Sequence, residues 1–205
     1  MKKLDGNSVV EIPFFNKAEC KKIIKYAHKK EEYFIKENRD IDVPDVYSKN
    51  QVTTANYNRY NFFVDNPEYI KRLLKCLKKA LPWLIYPITI QSWVNIYKIG
   101  EGIGWHNHHG LDEHSYTANI FLGGVTEPGV FYATPGQTNI VIENIIGGML
   151  LSNCCLWHMV LPNESKISRY SIGITLHDYE AFTKDLLRAC SFNSSTKGVI
   201  LLHDD

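Results

Sequence analysis

"ITIQSWVNIYKIGEGIGWHNH", residues 88–108, holds two signals in one run. Its first part alternates: Ile88, Ile90, Val94 and Ile96 fall on one side of an extended chain, and Gln91, Trp93, Asn95 and Tyr97 on the other. The second side is polar and aromatic together, which suits the wall of a wet cavity better than a packed core. Its second part ends in His106 and His108. If that segment is extended, both side chains leave the same face with their Cα atoms about 6.6 Å apart.

Downstream the period of two continues. "SYTANIFL", "GVFYA", "TNIVI", "GGMLLS", "CLWHMVL" and "SRYSIGITL" are short strands separated by Gly, Pro and Asn, about seven with the first. Such density predicts a sandwich or barrel. Upstream, the period is helical. In "FNKAECKKIIKYAHKK" Asn16 caps, Glu19 reaches back, and Cys20, Ile23, Ile24 and Ala27 form one stripe. "DNPEYIKRLLKCLKKALPW" repeats the pattern, with Asn66 as cap, Pro67 at the first helical position and Ile70, Leu73, Leu74 and Leu77 on one face. The polar, tyrosine-rich stretch between them suggests short strands and loops; its residues 47–62, with Tyr57 and Tyr60, are candidates for a lid over the site. A last helix is expected from Tyr179 to Cys190.

At 205 residues with 44% hydrophobic content, the chain suits one domain. The expected division is a helix-and-strand part over 1–86, a β core over 87–177 and a helix with a tail over 178–205. A net charge of +1 gives no broad field for a phosphate backbone, so nucleic acid is unsupported as a partner. The opening "MKKLDGNSVVEIPFF" lacks the apolar run of a signal peptide, and no stretch reaches the length of a membrane span, so a cytoplasmic protein is expected. Five cysteines, with no CxxC pair, argue against a disulfide framework and a zinc knuckle. We read them, vicinal Cys154 and Cys155 included, as reduced thiols filling apolar space. Oligomeric state is left open.

Four of the eight histidines stand between residues 106 and 114. His106 and His108 can meet one ion, and His158 in "CLWHMVL" offers a ligand from elsewhere in the fold; neutral imidazole suits divalent iron, zinc, copper and nickel. His109 and His114 are assigned to the surface or to the surroundings of the metal. Eleven residues after His158, Arg169 and Ser171 share a strand face, and a guanidinium with a hydroxyl grips a carboxylate.

Taken together, Gly100, His106-x-His108 and "GGMLLSNCCLWHMVLPNESKISRYSIGITL" resemble the Fe(II)/2-oxoglutarate-dependent oxygenase superfamily, in particular its prolyl-4-hydroxylase-like branch and related phage and bacterial proteins. "IPFFNKAECKKIIKYA" resembles the opening strand and helix of that branch, and "WVNIYKIGEGIGWHNH" its entry into the metal motif. The resemblance implies a mainly β, double-stranded β-helix (jelly roll) with flanking N-terminal helices packed on one sheet. It also implies Fe(II), with His106 and His158 as ligands and thus the catalytic centre, and 2-oxoglutarate, whose distal carboxylate is held by Arg169 and Ser171 with help from Tyr97. The reaction implied is hydroxylation of a C–H bond with O2, on a peptide, a prolyl residue first, or on a small molecule. Trp93, Asn95, Tyr57 and Tyr60 would then lie about the substrate. The family's motif has a carboxylate where this chain has His108, so the third ligand is either His108 or a folded-back Asp112 or Glu113.

The same residues also resemble a cupin. Gly100-x5-His106-x-His108-x4-Glu113 and the Gly147 to His158 separation fit its two motifs, with a His/Glu metal site. Against that reading stand Asn153 and Cys155 in the second motif, the long helical N-terminal part, and Arg169-x-Ser171 left without a role. A third reading is a β-helix that binds a ligand without turnover.

Overall fold

Alternation along Ile88–Tyr97 (β3) places Ile88, Ile90, Val94 and Ile96 in the hydrophobic core, while Trp93, Asn95 and Tyr97 line a cavity on the opposite face. The computed structural model describes residues 9–37, 52–53, 61–84, 88–108, 115–127, 129–133, 139–178 and 200–202. In chain order its elements begin with β1 (Val9–Pro13), α1 (Lys17–Glu37), β2 (Val52–Thr53), α2 (Phe62–Asp65), a 3-10 turn (Pro67–Tyr69) and α3 (Ile70–Ala80). After β3 come β4 (Ile103–His106), β5 (Tyr116–Gly123), β6 (Val130–Ala133), β7 (Ile140–Ile142), β8 (Gly148–Asn153), β9 (Trp157–Val160), β10 (Arg169–Asp178) and β11 (Ile200–Leu202).

These strands form two antiparallel sheets. The larger runs β1-β8-β5-β10-β3-β11, with β2 also paired to β3, and the smaller runs β4-β9-β6-β7. Both contribute walls to one cavity. The larger sheet therefore has two unlike faces, and each serves a different purpose. Ile120, Leu122, Met149, Leu151, Ile172 and Ile174 join the core on the outer face, with Ile23 and Ala27 of α1 and Leu73 and Leu77 of α3. Thr117, Asn119, Ser152 and Gly173 face inward. A conventional sandwich would bury its main core between its sheets; here the larger apolar core lies under the helices, and a smaller cluster of Val130, Tyr132, Leu150 and Leu156 fills part of the space between the sheets beside the cavity.

Helix α1 starts as its sequence predicts. Asn16 Oδ1 accepts from the amides of Ala18 and Glu19, and Glu19 Oε2 accepts from the Asn16 amide, a reciprocal cap that satisfies donors the first helical turn leaves open. Glu19 also meets Arg72 of α3 through both carboxylate oxygens, at 2.8 Å each, which clamps the two helices and holds the Glu19 carboxyl below its ordinary pKa.

Asn66 does not cap α3. Its side chain donates to the carbonyl of Phe62, the first residue of α2, and the segment begins with the 3-10 turn before becoming α-helical at Ile70. The short helix α2, whose carbonyls need donors, competes successfully for that amide. Among the described residues, the region counted as about seven strands holds eight, because β4 is separate from β3. Gly100, at φ 79°, turns the chain between them. Gly147, at φ 82°, also turns the chain where no side chain fits: its carbonyl accepts from the amides of both Phe14 and Phe15, and a Cβ there would collide with the Phe15 carbonyl. The expected helix over 179–190, the lid residues Tyr57 and Tyr60, and His109, Asp112, Glu113 and His114 lie outside the described residues.

Candidate metal centre

Strands β4 and β9 are adjacent in the smaller sheet, and their register sets His106 directly opposite His158. His108 follows two residues after the end of β4, and its amide donates to the Cys154 carbonyl at 2.9 Å, which ties it to the turn between β8 and β9. The three imidazoles converge. Ring centroids are 4.3 Å apart for His106 and His158, 5.4 Å for His106 and His108, and 5.3 Å for His108 and His158. One ligand nitrogen from each lies within 4.8 Å of the others, a set that could hold a metal ion.

Backbone carbonyls orient two of these rings. Gly104 O lies 2.8 Å from His106 Nδ1, and Leu156 O lies 2.9 Å from His158 Nδ1. A carbonyl only accepts, so each Nδ1 carries the proton and each Nε2 keeps its lone pair for an ion. Burial keeps the trio neutral. It lowers the pKa of His106, and lowers His158 to about 4 with help from the nearby His106 charge. His108 falls to about 3 through burial first, then the neighbouring charges of His158, His106 and His177. Three neutral imidazoles aimed at one point are a ligand set, whereas three protonated ones would repel each other.

The opposite wall carries a buried guanidinium. Arg169 pairs with Tyr97, Ser171 with Asn95, and Gly173 with Trp93 across β10 and β3, so these six residues share the inner face. Arg169 is only 1% exposed and its guanidinium lies 5.9 Å from the centre of the Tyr97 ring. Nη1 donates to the Leu161 carbonyl, but Nε and Nη2 are buried without a hydrogen-bond partner among the described residues. Burial holds the Arg169 pKa below its ordinary value. A buried cation with two unused donors is costly unless a ligand carboxylate meets it. Beside it, Asn95 accepts from Thr53 Oγ1 at 2.6 Å and its Nδ2 approaches Ser171 Oγ at 3.5 Å.

The structure thus brings together His106, His108 and His158, and on the facing wall Tyr97, Asn95 and Trp93 with Arg169 and Ser171 in register beside them. Two further residues went unread in the sequence. Tyr132 of β6 stands opposite His158, its ring 5.8 Å from the imidazole, and lines the cavity. His177 is buried near enough to His108 to influence its charge. The signal for His177 was present, since it continues the alternation of Arg169, Ser171, Gly173 and Thr175 along β10.

No family model matches the chain, nor does any curated protein. Solved structures do. A prolyl-4-hydroxylase from Pseudomonas putida is 11% identical, with a TM-score of 0.59 over 83% of this chain and 92% of that one. A prolyl hydroxylase from Trichoplax adhaerens, in complex with a hypoxia-inducible-factor peptide fragment, is 14% identical, with a TM-score of 0.63 over 87% of each chain. HygX from Streptomyces hygroscopicus, with nickel, 2-oxoglutarate and hygromycin B bound, is 11% identical, with a TM-score of 0.60 over 85% of this chain and 84% of that one. The expected architecture is therefore the observed one: the chain has the double-stranded β-helix fold of the 2-oxoglutarate-dependent oxygenases.

Proposed function

We propose that the chain is an Fe(II)- and 2-oxoglutarate-dependent dioxygenase that hydroxylates a C–H bond of a peptide or small molecule, with a prolyl residue as the first candidate. The observation that carries this reading is the pairing of three convergent neutral histidines with a buried guanidinium whose two open donors sit on the facing inner wall. A metal alone explains the histidines. A carboxylate-bearing co-substrate also accounts for Arg169.

The residues fit both groups. His106 and His158, each fixed through Nδ1, would present Nε2 to iron, with His108 as the third ligand in place of a carboxylate. Arg169 would bind the distal carboxylate of 2-oxoglutarate through Nε and Nη2, with Ser171 and Tyr97 beside it. Iron and 2-oxoglutarate, when bound with O2, supply oxidative decarboxylation and transfer of one oxygen atom to a C–H bond. Trp93 and Asn95 wall the cavity and would lie beside a bound substrate. The peptide in the Trichoplax adhaerens complex and the hygromycin B in HygX support the two substrate classes.

The test is anaerobic titration of the Fe(II) protein with 2-oxoglutarate, followed by its visible charge-transfer absorption. A saturable band supports the proposal; no band and no binding would return the chain to a cupin or to a binding protein without turnover. Incubation with peptide and metabolite pools then identifies the substrate by succinate formation together with a mass gain of one oxygen.

A further inference from the structure

The turn between β8 and β9 carries Cys154 and Cys155 with their sulfurs 3.8 Å apart. Cys154 is fully buried and Cys155 partly exposed, so one thiol is open to a small oxidant and the other waits behind it. The same turn anchors the candidate metal centre from two sides. Its Cys154 carbonyl accepts the His108 amide, and the chain runs directly into Leu156, whose carbonyl holds His158 Nδ1. The turn is itself fixed by the Cys154 amide donating to Ser115 O and the Cys155 amide donating to Asn153 Oδ1.

We propose that Cys154 and Cys155 are a hydroperoxide-sensitive dithiol site whose oxidation to a vicinal disulfide releases His108 from its place beside His158. Hydrogen peroxide transfers one oxygen atom to the Cys155 sulfur, giving a sulfenic acid and one water. The Cys154 sulfur then attacks it, the S–S bond forms, the S–O bond breaks, and a second water leaves with the Cys154 proton. Two thiols are oxidised by two electrons and one peroxide is reduced. Bonding needs the sulfurs to close from 3.8 Å to about 2.05 Å through a single intervening peptide unit. The turn must therefore change shape, and the Cys154 carbonyl moves with it. Strained disulfides of this kind are readily reduced, so the change is reversible. Buried Cys20, whose thiol is pushed up to about 11 by burial, has no such role and serves as the internal control.

The experiment treats the metal-free protein with hydrogen peroxide, removes the oxidant and reads three things. Peptide mapping should find a Cys154–Cys155 disulfide, reversed by dithiothreitol. Hydrogen exchange at the His108 amide should accelerate on oxidation in the wild type and not in Cys155→Ser. Both readouts stand without any metal. The consequence for the metal rests on the function proposed above: Ni(II) affinity should fall on oxidation by more than the roughly 10–100-fold that losing an outer partner costs, since a ligand is released, and stay unchanged in Cys155→Ser. A sulfinic acid on Cys155 with Cys154 still reduced, or a disulfide that leaves His108 exchange unchanged, overturns the proposal. Reduced protein that binds no Ni(II) overturns the metal reading alone, while the peptide map and His108 exchange still decide the dithiol site.

Discussion

His106 and His158 stand directly opposite each other across the β4–β9 ladder, with their rings 4.3 Å apart and each Nδ1 tied to a backbone carbonyl two residues earlier in its own chain. The two side chains are thus oriented before any ion arrives. Replacing either with alanine should abolish Fe(II) binding measured anaerobically, a larger effect than the roughly 10–100-fold cost of losing an outer partner. His108→Ala decides the third ligand: comparable loss establishes three histidines, whereas retained binding with loss in Asp112→Ala or Glu113→Ala assigns a carboxylate.

Arg169→Ala should weaken 2-oxoglutarate binding by about 2–5 kcal/mol while Fe(II) affinity is unchanged, because the guanidinium offers donors to the co-substrate and none to the metal. Arg169→Lys should recover only part of the loss, since an ammonium cannot make the two parallel bonds of the fork. Calorimetric titration of both variants measures this.

Gly173 lies against the Trp93 indole, and a Cβ at Gly173 would collide with it. Gly173→Ala should therefore cost on the order of 1–3 kcal/mol in urea unfolding, the usual cost of overpacking. Adding Trp93→Ala should relieve part of that cost, so the double variant should be more stable than the sum of the singles. Strict additivity would show that the indole is free to move aside.

Acid should destabilise the metal-free protein. The histidine trio has folded-state pKa values below the ordinary 6.5, with His158 at about 4 and His108 at about 3. Between pH 6.5 and those values the unfolded chain binds more protons, so unfolding becomes easier as pH falls and the effect is absent above about pH 7. The expected slope is on the order of 1 kcal/mol per pH unit for each of His108 and His158. Unfolding curves at pH 7.5, 6.5 and 5.5, compared with His158→Gln, check it; the variant should show the shallower dependence.

Local sequence determined much of this protein because alternation is a local property. Ile88 to Tyr97 and Arg169 to Leu176 each assign one face to the core and one to the cavity without knowledge of any partner strand, and the reciprocal cap at Asn16 and Glu19 lies within four residues. What alternation leaves out is which elements meet. The sequence could list His106, His108 and His158, but only the β4–β9 register and the bond from His108 to Cys154 bring them within reach of one ion. Asn66 shows the same limit in reverse, since its motif was a cap and the nearer demand of the Phe62 carbonyl prevailed. The two unpartnered nitrogens of Arg169 belong wholly to the tertiary structure. A strand arginine satisfies its donors in water unless the fold buries it, and that burial comes from packing across sheets that no local pattern encodes.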